Sequence, residues 1–257
     1  MVRNKLSLLV VGVLALAVAV PAIADDRHNL PNALKGVHRI VTLGDSITQG
    51  GAGPGGYVWL IDKILNKIYP DQHFEVINAG ISGHKSTDMS NRFDRDVMSK
   101  KPDLVTISVG VNDVWHGYRD FARGVDHPNG DLPAGIPLER YVALVTEMVD
   151  RAQAANIKVA LVAPTLIYEN LDSAENRAMS RYVRAMEGIA REKKCMFIDL
   201  NAPFRKVIGE YQKYAGKGLK LLTVDGVHMN LAGNRLMAVG ILRGLGVGMK
   251  EIEEAKP

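Results

Sequence analysis

The feature that most constrains this chain is an alternation. From His38 onward, short apolar runs suited to strands are separated by longer amphipathic stretches with helical spacing. The strand candidates are Ile40 to Leu43, Phe74 to Ile77, Asp103 to Val109, Lys158 to Ala163 and Met196 to Asp199. Val58 to Ile68, Ser86 to Met98, Leu138 to Ala155, Ser173 to Lys193 and Leu231 to Leu245 carry the helical period, with N-cap chemistry in Ser86-Thr87-Asp88 and Asp172-Ser173. Strands joined through helices run parallel in one sheet, and right-handed crossovers cover both of its faces. The expected fold is α/β, a three-layer α/β/α sandwich around a central five-stranded parallel sheet. A chain of 257 residues, 47% of them hydrophobic, suffices for one such domain.

The ends read differently. Arg3 and Lys5 precede an apolar run from Leu6 to Val20, followed by Pro21 and the small-x-small triplet Ala22-Ile23-Ala24. That is the pattern of a cleavable secretory signal over residues 1–24. A membrane anchor is the rival reading, but the run is shorter than the roughly 20 apolar residues a spanning helix needs. The expectation is a secreted or periplasmic protein with no stable membrane insertion after cleavage. Residues 25–37 read as a mature N-terminal arm, 38–249 as the domain proper and 250–257 as a charged tail.

Composition then removes several classes of function. Losing Arg3 and Lys5 with the leader lowers 32 basic residues to 30 against 28 acidic ones, so the formal charge falls from +4 to +2. Without a Lys/Arg cluster, that is no nucleic-acid footprint. Cys195, the sole cysteine, forms no intrachain disulfide and no paired-cysteine metal site, and its apolar setting reads as a buried structural thiol. His28, His38, His73, His84, His116 and His127 show no metal-ligand spacing, and there is neither an H-E-x-x-H pair nor a Walker loop. No metal or organic cofactor is expected.

In open α/β sheets, ligands bind outside the carboxyl ends of the strands, which here means Gly44 to Thr48, Asn78 to Gly83, Gly110 to Asp113 and Pro164 onward. Ser46 follows the first strand. A serine there is either a helix N-cap or a nucleophile, and the latter needs a histidine to take its proton and an acid to orient that histidine. His228, three residues after Asp225 with Gly226 between, fits as base and orienting acid, or else as a plain helix entry. A tetrahedral oxyanion needs donors already in place. Asn78 to Gly83 and Gly110 to Asp113 offer backbone N–H groups and an amide, or simply a glycine turn and an Asx turn.

Read together and in order, Gly44-Asp45-Ser46, the segment around Gly80, Gly110-Val111-Asn112-Asp113 and Asp225-Gly226-Val227-His228 resemble the four blocks of the SGNH, or GDSL-type, hydrolases. The resemblance implies the flavodoxin-like sandwich of that family and serine ester hydrolysis through an acyl-enzyme. It makes Ser46 the nucleophile, His228 the general base and Asp225 the orienting acid, a role that a backbone carbonyl would also fill. It makes the Ser46 and Gly80 N–H groups and the Asn112 side chain the oxyanion hole. The nucleophile block here ends in Ile47, a branched aliphatic like the leucine of the family pattern.

Two further segments bear on substrate. Gly51 to Gly56 contains G-x-G-x-x-G, but Gly-Asp-Ser-Ile-Thr-Gln separates it from the strand, so it reads as a flexible rim beside Ser46 and not as a dinucleotide loop. The long connection from Val114 to Pro137 carries Trp115, His116, Tyr118 and Phe121. Trp115 and Tyr118 either bind substrate, stacking on sugar rings or holding an acyl chain, or pack the loop down. Gly-Val-Asn-Asp-Val-Trp is similar to segments of acetylxylan-esterase-like members. That implies an acetylated carbohydrate as substrate, with a lysophospholipase or thioesterase type of acylhydrolase, or a noncatalytic glycan-binding protein, as the other readings.

Overall fold

The computed structural model describes residues 29–217, 220–255 and 257; the leader over 1–24 lies outside them. In chain order the elements are β1 (Arg39–Gly44), α1 (Ser46–Gly50), α2 (Tyr57–Ile68), β2 (Glu75–Gly80), α3 (Ser86–Asn91), α4 (Phe93–Asp96), β3 (Leu104–Ser108) and α5 (Val111–Tyr118). They continue with β4 (Arg119–Asp120), β5 (Val125–Asp126), α6 (Leu138–Ala154), β6 (Lys158–Val162), α7 (Ala174–Lys193), β7 (Met196–Ile198), α8 (Asn201–Ala215), α9 (Leu231–Gly244) and α10 (Met249–Glu254). The expected sheet is present: five parallel strands in the order β2-β1-β3-β6-β7. Counting these five alone, that is the doubly-wound order 2-1-3-4-5, whose chain reverses direction at β1 and β3. Helices α2, α9 and α10 pack together, as do α3, α6 and α7, giving the two outer layers.

The central strands are largely apolar because both faces are covered, and their threonines, Thr42 and Thr106, are buried as well. Ile40, Val41 and Leu43 of β1 and Leu104, Val105 and Ile107 of β3 are all buried. Each such side chain contributes about 1.5–3 kcal/mol by leaving water. Edge strand β2 is only partly covered.

Several elements depart from the sequence reading, each for a local reason. The stretch from Ser86 to Met98 is two helices, broken at Arg92, whose backbone (φ −98°, ψ 5°) leaves the helical region and whose side chain is buried. At the start of α3, the Asp88 carboxylate accepts from the Lys85 N–H, while the Ser86 hydroxyl is used elsewhere. The connection after Asn112 opens with helix α5 and then the β4–β5 hairpin. Helix α8 was not expected: it buries only Asn201, Phe204 and Ile208, too sparse a stripe to register, and Pro203 sits in its first turn, where a missing N–H costs nothing. The segment before β1 buries Leu34 and Val37, and the charged end forms α10 with Ile252 buried. Lone apolar residues among charges carry no period, so neither anchor was visible.

The glycine-rich segment after α1 is not a loose rim. The Gly51 carbonyl accepts from the N–H groups of Val58 and Trp59, and a Cβ on Gly56 would lie 2.5 Å from the Gly51 carbonyl carbon. The turn closes on itself and hands the chain directly into α2.

Candidate active site

Strand β1 delivers the nucleophile candidate by a turn tight enough to exclude a side chain at Gly44, where a Cβ would sit 1.9 Å from the Thr48 hydroxyl. The N-cap of α1 is Asp45, whose Oδ1 accepts from the Ile47 N–H at 2.9 Å. The capping role thus falls to Asp45, and the Ser46 hydroxyl is released from it.

Across the cleft, Asp225 to His228 form a turn closed by the Thr223–Met229 bridge and by the Val224 N–H donating to the His228 carbonyl. Gly226, at φ +107°, is what the turn requires. Asp225 Oδ1 accepts from the Val227 and His228 N–H groups, and Oδ2 lies 2.6 Å from His228 Nδ1. On the far side of the ring, His228 Nε2 lies 2.8 Å from Ser46 Oγ. Burial alone would raise the Asp225 carboxyl, but the His228 ring and the two backbone donors outweigh it and hold it below the usual range. The acid therefore stays ionised and keeps Nδ1 protonated, which leaves Nε2 as the acceptor facing the serine.

This turn rests on residues the sequence reading did not single out, although they follow β6 at a strand end it had marked. Buried Glu169 accepts from the N–H groups of Leu221, Leu222 and Thr223 and from the Thr223 hydroxyl, at 2.7–2.9 Å. Tyr168 lies against Gly226, where a Cβ would come 2.8 Å from its ring. Trp115 Nε1 donates to the Tyr168 hydroxyl at 3.2 Å, and the two rings meet edge-on with centroids 5.8 Å apart. Trp115 thus buttresses the turn over Asp225 to His228 through Tyr168. Tyr118 instead lines a cavity of about 440 Å³ together with Gly130, Leu132 and Tyr182, which includes neither Ser46 nor His228. Phe121, 48% exposed, stands edge-on to Trp115.

The three expected oxyanion donors sit on three segments. The Ser46 N–H heads α1, where a helix offers no acceptor of its own. The Asn112 side chain, on the first turn of α5, donates one amide hydrogen to the His84 carbonyl at 3.0 Å and keeps the second. The Gly80 N–H is engaged: it donates to Asn78 Oδ1 at 2.9 Å, while Asn78 Nδ2 donates to the Thr48 carbonyl. An oxyanion would draw on Gly80 by sharing that bond. Gly80 is the last residue of β2, so this block belongs to the strand end and not to a loop after it.

Two buried carboxylates, Asp45 and Asp113, stand beside Ser46 and Asn112. Burial, partly offset by the Ile47 N–H, pushes Asp45 up to about 6; burial, offset by Ser86, pushes Asp113 to about 6. Asp113 accepts from both the Ser86 N–H and the Ser86 hydroxyl, tying α5 to α3. A carboxyl whose folded pKa exceeds its unfolded value binds more protons when folded, so its cost to stability grows from about pH 4 and is complete above about pH 6. Asp45→Asn removes that titration and keeps the acceptor for Ile47. The stability change on substitution should become more favourable by about 2–3 kcal/mol between pH 4 and pH 8. Urea unfolding of both proteins at the two pH values checks this; an equal difference at both would refute a buried, titrating Asp45.

Among the described residues no group of three or more His, Cys, Asp or Glu side chains is arranged to hold a metal ion. No helix there is long and apolar enough to cross a membrane. The single cysteine, Cys195, is half-buried and free, and burial raises its thiol.

A parallel sheet of this order, with a serine, a histidine and an aspartate in one hydrogen-bonded line at its carboxyl edge, is the architecture of the SGNH-type ester hydrolases. The chain belongs to the GDSL-like lipase/acylhydrolase family, whose model matches residues 42–236. It is 31% identical over 223 residues to an acetylxylan esterase from Geobacillus stearothermophilus, spanning 81% of this chain and 94% of that protein. The crystal structure of that esterase, Axe2, superposes with a TM-score of 0.69 over 82% of this chain and 95% of that one. Its solved forms include catalytic mutants in which a serine, an aspartate or a histidine is replaced by alanine, the last two spaced three apart as Asp225 and His228 are here. LAE5, an α/β hydrolase from the metagenome of Lake Arreo, Spain, is 27% identical with a TM-score of 0.67, covering 81% of this chain and 95% of that one. The chain is a carboxylic ester hydrolase of this family.

Proposed function

We propose that the protein is exported and removes O-acetyl groups from carbohydrate through an acyl-enzyme formed on Ser46. The observation that carries the reading is the continuous line from Asp225 through His228 to Ser46 Oγ, with contacts of 2.6 and 2.8 Å. In the first step Ser46 Oγ attacks the ester carbonyl while His228 Nε2 takes its proton and passes it to the leaving alkoxide. In the second, water deprotonated by His228 releases the acid. The Ser46 N–H, the free hydrogen of the Asn112 amide and the Gly80 N–H receive the oxyanion at each tetrahedral stage. Asp225, ionised and bonded to Nδ1, holds the ring in the tautomer both steps need.

The acetyl-carbohydrate substrate is supported by the likeness to an acetylxylan esterase over nearly that protein's whole length. Val224 and Leu231, each 65% exposed beside the acid–base turn, favour the second reading, a longer acyl chain. Turnover of p-nitrophenyl acetate, p-nitrophenyl octanoate and acetylated xylan separates the two. Acetate is expected to exceed octanoate by about tenfold or more in kcat/KM, with acetate released from the xylan; the reverse order would favour the long-chain acylhydrolase. A noncatalytic glycan binder would leave Ser46 unlabelled by a fluorophosphonate probe. Export is supported by the leader pattern over 1–24 and predicts a mature amino terminus at Asp25.

A further inference from the structure

Arg92 stands where α3 breaks, and it is a cation with only 5% of its surface exposed. Its three guanidinium nitrogens donate to four acceptors. One amino group donates to the Gly44 carbonyl at 2.7 Å, at the end of β1 and two residues before Ser46. The other donates to the Ala79 carbonyl at 2.8 Å and to Asp96 Oδ2 at 2.7 Å. Nε donates to His84 Nδ1 at 3.0 Å, and the backbone carbonyl of that same His84 holds the Asn112 amide. One guanidinium therefore touches two of the three segments that present an oxyanion donor and reaches the third, α5, through His84.

The Ala79 contact is the most telling. The Ala79 carbonyl and the Gly80 N–H belong to one peptide unit, so a cation on the oxygen draws electron density from the nitrogen and makes the N–H a stronger donor. The hydrogen bonds run on from Gly80 through Asn78 to the Thr48 carbonyl of α1, the helix that starts at Ser46. A buried guanidinium is an expensive way to fill space, since its desolvation is unfavourable even when an acid pairs with it. Packing alone would be served by an apolar residue. Asp96 supplies the pairing, and Nδ1 of His84, which must be unprotonated to accept, takes a further donor.

We propose that Arg92 is a positioning residue of the oxyanion hole, locking the ends of β1 and β2 and the His84 carbonyl in register and polarising the Gly80 peptide. The inference rests on the catalytic assignment above. It is tested with Arg92→Met and Arg92→Lys on the full chain, with active sites titrated by a fluorophosphonate. For each variant, kcat and KM for p-nitrophenyl acetate and the inhibition constant of methylboronic acid, which forms a tetrahedral adduct on the serine, are measured.

Arg92→Met should lower kcat per titrated site by about 10- to 100-fold with KM changed less than about threefold, because the donors act only on the tetrahedral species. Boronate inhibition should weaken by a similar factor. Arg92→Lys keeps the charge but not the three-way fork, and should recover part of the loss. A merely structural arginine would lower melting temperature and the titratable fraction while leaving kcat per site and boronate affinity at the parent values, and that result overturns the proposal. If Arg92→Met does not fold, a folded Arg92→Lys with parent kcat and boronate affinity is equally decisive. A parent protein that the fluorophosphonate leaves unlabelled would instead overturn the catalytic assignment itself.

Discussion

Ser46→Ala is expected to lower kcat for p-nitrophenyl acetate by about 10⁴-fold or more, with melting temperature and far-ultraviolet circular dichroism unchanged. The reason lies in how little else the Ser46 hydroxyl does. Asp45 caps α1, Thr48 bonds Tyr57, and among the described residues the only side-chain partner of Ser46 Oγ is His228. Removing one hydroxyl thus removes the nucleophile and no structural bond. His228→Ala should cost about as much, and the double mutant little more than either alone, because nucleophile and base act as a unit. Asp225→Ala should be milder, about 10²- to 10³-fold, since its exposed carboxylate orients the ring but touches no reacting atom. Ester turnover by Ser46→Ala equal to that of the parent would refute the nucleophile. Additive losses in the double mutant would refute the coupling of Ser46 to His228.

The sheet was legible because doubly covered strands are the simplest pattern a sequence can carry: β1, β3 and β6 are largely aliphatic runs separated by helical stretches, which makes the strands parallel, whereas their order β2-β1-β3-β6-β7 comes from the structure. The line from Asp225 through His228 to Ser46 was legible for another reason. Its members differ in type from what surrounds them, and each stands at a strand end or helix start where side chains point into the cleft. What stayed hidden are groups whose work depends on distant partners. Glu169 reads as one more surface acid until its carboxylate meets the backbone of residues 221–223, more than 50 positions away. Arg92 reads as a polar position inside an amphipathic helix, yet it breaks that helix and turns inward. Asp45 was read as part of a motif, whereas its job as cap explains why the serine beside it is free. Tyr118 shows the converse: an aromatic in a long connection beside Asn112 lines a separate cavity, because the loop that follows folds back onto α5, the Leu132 N–H donating to the Gly117 carbonyl and Gly130 packing against the Tyr118 ring.

Gly80→Ala carries the second large effect, and it separates a glycine's steric role from its donor role. The N–H assigned to the oxyanion survives the substitution, so a purely electronic account predicts little change. The packing predicts otherwise. A Cβ at position 80 would lie 2.1 Å from the Gln49 nitrogen, 2.6 Å from the Thr48 carbonyl carbon and 2.8 Å from the Asp45 carbonyl oxygen, all of them backbone atoms of α1 or its cap. No rotamer relieves that clash; α1 must move away from β2, and Ser46 moves with it. A displacement of about 1 Å is enough to cost on the order of 10²-fold in kcat, and overpacking of this kind costs about 1–3 kcal/mol or more in stability. The expected result is a folded but destabilised protein with kcat down by about 10²-fold or more and slower fluorophosphonate labelling of Ser46. Gly53→Ala is the control: a Cβ there meets nothing within 4 Å, and its activity and melting temperature should match the parent. Gly80→Ala with parent kcat would show that α1 yields without carrying Ser46 off line, and the close contact of β2 with α1 would then have no part in setting the nucleophile.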